Sequence, residues 1–283
     1  MNRGPVARTD TRVGGLLSGP DPVLMGVLNV TPDSFSDGGE FFDLHRAVTQ
    51  AESLLDEGAQ MVDVGGESTR PGSDPVSSEE ELRRVMPVVR GILVARPAAV
   101  VSIDTYRASS AEVALDAGAR IVNDVTALGD PRMAHLVAER DCLVVLMHML
   151  GEPKSMQQNP RYEDVVREVR DFLARRAERA ARAGVDEGNI VLDPGIGFGK
   201  TLEHNLALLN RLDVLVELGF PVLVGSSRKS FLGKLSGRGP KDRLFGTVAT
   251  NVLAYERGAT FFRVHDVLAN KEALTVAAAI RRG

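Results

Sequence analysis

The sequence contains one cysteine and no tryptophan, and only 5% of its residues are aromatic. A single thiol, Cys142, excludes an internal disulfide framework. Its setting in DCLVVLM reads as a small buried strand residue in a reducing compartment. Scarce aromatics leave few platforms on which single-stranded nucleic acid could stack. Charge of either sign is not in excess: 34 Lys and Arg face 38 Asp and Glu, a formal net charge of -4 with a pI near 5.8. No general attraction to nucleic acid or an anionic membrane is expected from that balance. No apolar run approaches the roughly 18 residues of a membrane span, and MNRGPVARTDTRVGGLLSGPDP lacks the apolar core of a signal peptide. The expectation is a cytoplasmic protein with no nucleic-acid and no membrane partner.

What the sequence does contain is one pattern, repeated. A short apolar, β-branched run is followed by a turn rich in Gly, Asp, Ser and Thr, then by a longer segment of helical period. Strands are predicted over 23–30, 61–65, 100–104, 120–124, 143–148, 190–193, 221–225 and 260–265. Helices are predicted over 43–57, 79–94, 109–117, 131–139, 162–183, 201–218, 242–257 and 268–281. Several helices run into a glycine placed as a C-cap, in DEGAQ, DAGAR, RAGVD, ELGFP and ERGAT. Strands apolar on both faces belong to a parallel sheet covered by helices. Eight such units predict a single (β/α)8 TIM barrel over residues 23–283, preceded by a short irregular arm over 1–22, with a doubly wound open sheet as the competing architecture.

Polar residues recur where the strands end: Asn29, Asp63, Asp104, Asn123, His148, Asp193, Ser226 and His265. Any one of them would serve as a helix cap, but in a barrel all these strand ends surround one pocket. Several chemistries fail there. A metallohydrolase needs clustered histidines, and the chain has only five. A Schiff-base lyase needs a lysine in the barrel, for which only Lys229 is placed. DPGIGFGKT resembles a phosphate-binding loop, yet Pro194 stands where that motif requires its first glycine. What remains is a group of carboxylates and amides beside a cationic group of Arg70, Lys229, Arg263 and His265. Carboxylates and amides pair with the edge of a polar heterocycle, while Arg and Lys suit phosphate. Asn29 could hold a Mg²⁺ together with phosphate oxygens. The first two loops, TPDSFSDGGEFF and GGESTRPGSDPVSS, are long and rich in Gly, Ser and Pro, as loops that close over a substrate are. On the 162–183 helix, arginines opposite an apolar stripe read as a solvated face laced with Glu163 and Glu168.

Eight motifs, in order, resemble one family. GVLNVTPDSFSDGG (26–39), DVGGESTRPG (63–72), SIDTY (102–106), VNDV (122–125), LMHMLGEPKSMQ (146–157), LDPGIGFGK (192–200), VGSSRKSFLG (224–233) and FRVHDV (262–267) are similar to the dihydropteroate synthases. The resemblance implies a TIM-barrel transferase of folate biosynthesis. Such an enzyme joins p-aminobenzoate to 6-hydroxymethyl-7,8-dihydropterin pyrophosphate, giving 7,8-dihydropteroate and pyrophosphate, with Mg²⁺ as cofactor and sulfonamides as inhibitors. It further implies small-molecule substrates and a homodimer built on late helices. By the same resemblance the pterin contacts fall on Asp104, Asn123, Val125, Met147, Asp193, Phe198, Gly225 and Lys229. Thr69, Pro71, Phe198 and Ser227 would surround p-aminobenzoate. Asn29, Thr69, Arg70, Arg263 and His265 would hold pyrophosphate, with Asn29 on the metal. Lys229, Arg263, His265, Asp37 and Arg70 would carry the catalysis, a dissociative substitution in which Asp37 stabilises the cationic side. A corrinoid-linked methyl transferase of the same pterin-binding type would have no use for SSRKS or RVHD, and a non-catalytic pterin-binding paralogue would show a broken phosphate side.

Overall fold

Each apolar run becomes a strand because it leaves no face that water would favour, and a parallel sheet walled by helices buries both faces at once. The computed structural model describes residues 21–31, 40–68 and 72–283. The arm through residue 20 and the loop residues 32–39 and 69–71, among them Asp37, Thr69, Arg70 and Pro71, lie outside the described residues. The strands are β1 (Val23–Asn29), β2 (Met61–Gly65), β3 (Val101–Asp104), β4 (Ile121–Asp124), β5 (Leu143–Met147), β6 (Ile190–Asp193), β7 (Leu223–Val224) and β8 (Phe261–Val264). They pair in parallel in the order β6-β5-β4-β3-β2-β1-β8-β7, and a parallel bridge from Leu192 to Val222 joins the two ends. The sheet is a closed eight-stranded barrel, as the repeat predicts.

Around it, among the described residues, lie α1 (Glu40–Asp56), α2 (Ser78–Ala95), α3 (Ala108–Asp116), α4 (Met133–Arg140), α5 (Val165–Arg182), α6 (Leu202–Asn210), α7 (Asp213–Val216), α8 (Ser230–Ser236), α9 (Leu244–Glu256) and α10 (Val267–Arg282). Their starts are capped in the expected way. Ser77 accepts from the Glu80 N–H, Asp164 from those of Val166 and Arg167, and Thr201 forms a reciprocal box with His204. The five glycines read as C-caps, Gly58, Gly118, Gly184, Gly219 and Gly258, all have positive φ, from 85° to 111°. Two helical expectations are corrected. The segment 201–218 divides at Arg211 and Leu212 into α6 and α7, and α8, a helix that the periodicity does not predict, follows β7. On α5, Glu168 accepts from the backbone N–H groups of Glu163 and Asp164 and so closes the helix start rather than pairing with arginine.

The barrel interior is apolar at its lower end. Val23, Met25, Met61, Ile121, Val145, Val191 and Phe261 form one cluster inside the strands, distinct from the larger layer between strands and helices. Alternation along each strand fixes this inward set, and continuing it by two residues per step predicts what reaches the mouth.

Candidate active site

Inward parity, carried upward from that apolar layer, brings Asn29, Asp63, Asp104, Asn123, Met147, Asp193, Gly225 and Arg263 to the carboxyl end of the barrel. Asp63 organises the floor of this mouth. Fully buried, it accepts from Arg263 Nε at 2.6 Å, Asn123 Nδ2 at 2.9 Å and Ser102 Oγ at 2.6 Å. Because the amide NH₂ of Asn123 is directed at Asp63, its carbonyl oxygen is the group left for a ligand. Arg263 also donates through Nη2 to Asp104 Oδ2 at 2.8 Å, so one guanidinium holds two carboxylates apart and satisfied. Burial pushes the Asp104 carboxyl up to about 7, with Arg263 opposing and Asp63 adding to the rise.

Opposite this cluster stands Asp193, at the end of β6. Its Oδ1 accepts from the Gly195 N–H at 2.7 Å, and Oδ2 faces the space that a Cβ on Gly225 would enter. Burial raises it to about 6, opposed by that N–H and by the charges of Lys229, Lys200 and Arg263. Between the carboxylates lies a separate apolar cluster of Val125, Met147, Met156 and Phe198, with Tyr106 and Met149 against it. The Lys229 ammonium sits 3.9 Å from the centre of the Phe198 ring and, among the described residues, makes no hydrogen bond or ion pair. Burial and the neighbouring Arg263 pull it down to about 8. Acceptors, a sulfur-lined apolar wall and an uncommitted cation together describe a slot for a flat, polar, partly anionic molecule.

The chain between Ser227 and Lys229 is bent by Arg228, which adopts a left-handed φ of 58°. A non-glycine residue there costs about 1–2 kcal/mol and persists only where its surroundings hold it. Three contacts do so: Arg228 N donates to Thr247 Oγ1 at 3.1 Å, its carbonyl accepts from Arg243 at 3.0 Å, and its guanidinium forks onto Asp266 at 3.0 and 2.6 Å. Ser227 and Lys229 are thereby turned toward the mouth. Ser227 Oγ accepts from the His265 N–H at 3.2 Å and lies 3.0 Å from His265 Nδ1. Burial and the Arg263 and Arg228 charges lower His265 to about 3. It is therefore neutral near pH 7, a correction to its place among the cations.

Two of the eight strand-end polar residues also depart from the single-pocket expectation. His148 packs edge-on against Phe172 of α5, and Ser226 Oγ donates to Asn251 of α9 at 2.8 Å. Each lies one residue past an inward position, so parity turns it toward the helices. Conversely, Met149, Met156 and Tyr106 join the site without a polar strand-end signal to mark them, although all three lie within motifs that carry the family resemblance.

For a divalent cation, no group of three or more His, Cys, Asp or Glu among the described residues could hold it. Asn29 fits the more modest role of one ligand. It is half-buried at the top of β1, and its side-chain amide has no partner among the described residues. Mg²⁺ characteristically takes few protein ligands and completes its shell with water and phosphate.

Residues 25–265 match the family described as pterin binding enzymes. The chain is 46% identical over 255 residues to the dihydropteroate synthase of Escherichia coli, covering 90% of each. The chain belongs to the dihydropteroate synthases. It is also 48% identical over 258 residues to a probable bifunctional folylpolyglutamate synthase/dihydropteroate synthase of Haloferax volcanii, 30% of whose length it spans. Among solved structures, the dihydropteroate synthase of Xanthomonas albilineans with 4-aminobenzoic acid superposes with a TM-score of 0.88 at 46% identity, covering 93% of this chain and 94% of that one. The TIM barrel and the transferase class expected of a dihydropteroate synthase thus both hold for this chain. Among the described residues, no helix is long and apolar enough to cross a membrane.

Proposed function

We propose that the barrel mouth carries out the dihydropteroate synthase condensation with its own residues in the following roles. Asp193, Asp104 and the Asn123 carbonyl accept from the amide and amine edge of 6-hydroxymethyl-7,8-dihydropterin pyrophosphate, whose ring lies against Met147, Val125 and Phe198. Lys229 supplies the donor and positive charge that balance this acceptor-rich edge. Arg263 has donors left beyond the two it gives to Asp63 and Asp104, and with neutral His265 it receives the departing pyrophosphate. The C–O bond to pyrophosphate breaks first, leaving a cation-like methylene, and the neutral arylamine of p-aminobenzoate then forms the C–N bond and loses a proton. A weakly basic arylamine needs no activating base before attack, so catalysis rests on stabilising the leaving group and orienting the amine. Asn29 would hold Mg²⁺, which when bound would supply charge neutralisation to the leaving group. Ser227, bonded to His265, places the p-aminobenzoate side next to the phosphate side; Thr69, Arg70 and Pro71 add to these two sides, and Asp37 serves the cationic methylene.

The observation that carries this reading is the buried trio of acceptors facing a lysine with no partner among the described residues. It is supported by the Xanthomonas albilineans structure, which holds 4-aminobenzoic acid on the same fold. Its test is pyrophosphate release with Mg²⁺, with and without p-aminobenzoate, followed by mass detection of dihydropteroate. Turnover that disappears with chelator and returns with Mg²⁺ is expected; pterin binding with no turnover would point to the non-catalytic paralogue instead. The homodimer is part of the same proposal, supported by apolar residues exposed on α9 and α10: Phe245 at 84%, Leu253, Val276 and Ile280. Light scattering at micromolar concentration should give twice the chain mass, and a monomer would end that part of the reading. A cytoplasmic location accords with folate chemistry on small soluble substrates.

A further inference from the structure

Lys200 is a buried amine, 3% exposed, with no carboxylate in ion-pair contact among the described residues, and burial pulls it down to about 7. Burying an unpaired cation is expensive, and a methionine of similar length would fill the same volume without that cost. Three groups lie within hydrogen-bond distance of its Nζ: it donates to Phe198 O at 2.9 Å and to His148 O at 3.3 Å, and His148 Nδ1 lies 2.9 Å away. They come from two loops. The β5–β6 ladder ends with Met147 opposite Asp193, and the His148 N–H still reaches Asp193 O at 3.0 Å. Beyond that point Lys200 takes over the connection. On one side it grips the residue between Met147 and Met149; on the other, the residue whose ring carries Lys229. The loops approach so closely that a Cβ on Gly195 would lie 1.9 Å from His148 O.

We propose that Lys200 is a positioning residue for the pterin pocket: by clasping the carbonyls of His148 and Phe198 it fixes the Phe198 ring and Met147 within the apolar wall they share and so sets where Lys229 meets the substrate. This rests on the functional reading above. The clasp bears first on the pterin walls and, through Phe198, on the p-aminobenzoate side as well; neither His148 nor Phe198 belongs to the residues placed around pyrophosphate. A wall misplaced by about 1 Å can cost on the order of 100-fold, so a loss of at least about tenfold is the expected scale.

The test uses full-length Lys200→Met and Lys200→Arg, with folded fraction checked by circular dichroism. For Lys200→Met the KM for dihydropterin pyrophosphate should rise at least about tenfold, and the KM for p-aminobenzoate at saturating pterin, whose pocket shares Phe198, should rise by a smaller factor. Lys200→Arg, which keeps charge and donors, should recover part of the pterin KM. A folded Lys200→Met with both constants unchanged overturns the proposal. So does a fall in activity that merely tracks the folded fraction and spares both constants. Should Lys200→Met not fold, the same two constants on Lys200→Gln decide. A wild-type protein that releases no pyrophosphate overturns the functional reading itself, which separates that failure from this one.

Discussion

Lys229 and Arg263 are both cations at the barrel mouth, yet their situations differ. Arg263 is committed to Asp63 and Asp104, whereas the Lys229 ammonium, among the described residues, lies over the Phe198 ring without a hydrogen bond or ion pair. Removing Arg263 would leave two carboxylates without their shared counter-charge, so any loss of activity would mix structural and catalytic causes. Lys229 offers a cleaner experiment, because no described residue depends on its ammonium for a hydrogen bond. Lys229→Ala should unfold at a denaturant concentration close to wild type while turnover falls about 10²- to 10³-fold. Pyrophosphate release measured beside a urea titration checks both halves, and unchanged turnover would remove Lys229 from the catalytic group. The same scale explains Cys142: 5% exposed, with burial pushing its thiol up to about 12, it is an inert apolar residue as its neighbours indicate.

At the scale of elements, the turn after β6 shows how glycine sets the spacing of loops. Gly195 has a φ of +66° and the His148 carbonyl at its back, whereas Gly219 has a φ of +85° with open space where a Cβ would stand. Gly219→Ala should therefore cost only the left-handed strain, about 1–2 kcal/mol. Gly195→Ala adds a backbone collision and should cost about 3 kcal/mol or more. Urea midpoints of the two variants test this, and equal losses would mean the β5 and β6 loops are free to separate. This turn was legible as three flexible glycines, but their partners were not, since His148 O and Leu150 O come from a loop some 50 residues earlier in the chain. All eight strands were legible, because buried parallel strands are continuous apolar runs, and so were the helix ends marked by Gly58, Gly118, Gly184, Gly219 and Gly258. The break between α6 and α7 was not, since the helical period of leucines passes through Leu212 without interruption. Nor was α8, a short helix whose Gly233 weakens the signal. The inward site residues were readable in principle from strand parity. Applied to His148 and Ser226, parity would have placed both outside the pocket.

For the whole molecule, acid stability follows from two opposed sets of buried groups. His148 and His265 are lowered from 6.5 to about 3, so below pH 6.5 the unfolded chain binds protons that the folded one refuses. Their stabilisation is complete above pH 6.5 and is lost as pH falls toward 3. Asp104 and Asp193 are raised from 3.8 to about 7 and about 6, so the folded chain binds protons first. Their contribution is complete below pH 3.8 and is lost as pH rises through 6 to 7. Between about pH 6 and 4 each of these histidines and aspartates contributes a slope of about 1.4 kcal/mol per pH unit, with opposite signs, so the two pairs cancel, and Asp124, whose carboxyl is also raised by burial, tips the balance slightly toward a gain on acidification. Below about pH 4 only the histidines still act, joined by paired surface carboxylates such as Asp130, whose carboxyl is held below its usual range. Unfolding free energy from urea titrations should hence stay nearly level from about pH 6 to 4 and then fall by about 3 kcal/mol per unit. His148→Gln retains an acceptor for Lys200 while removing one histidine, and should turn the level region into a gain on acidification. A wild-type curve that drops steeply between about pH 6 and 5 would show that the buried aspartates are not taking up protons against the histidines there. The burial that is meant to hold Asp104 and Asp193 in a dry slot, ready to accept from the pterin edge, would then be absent.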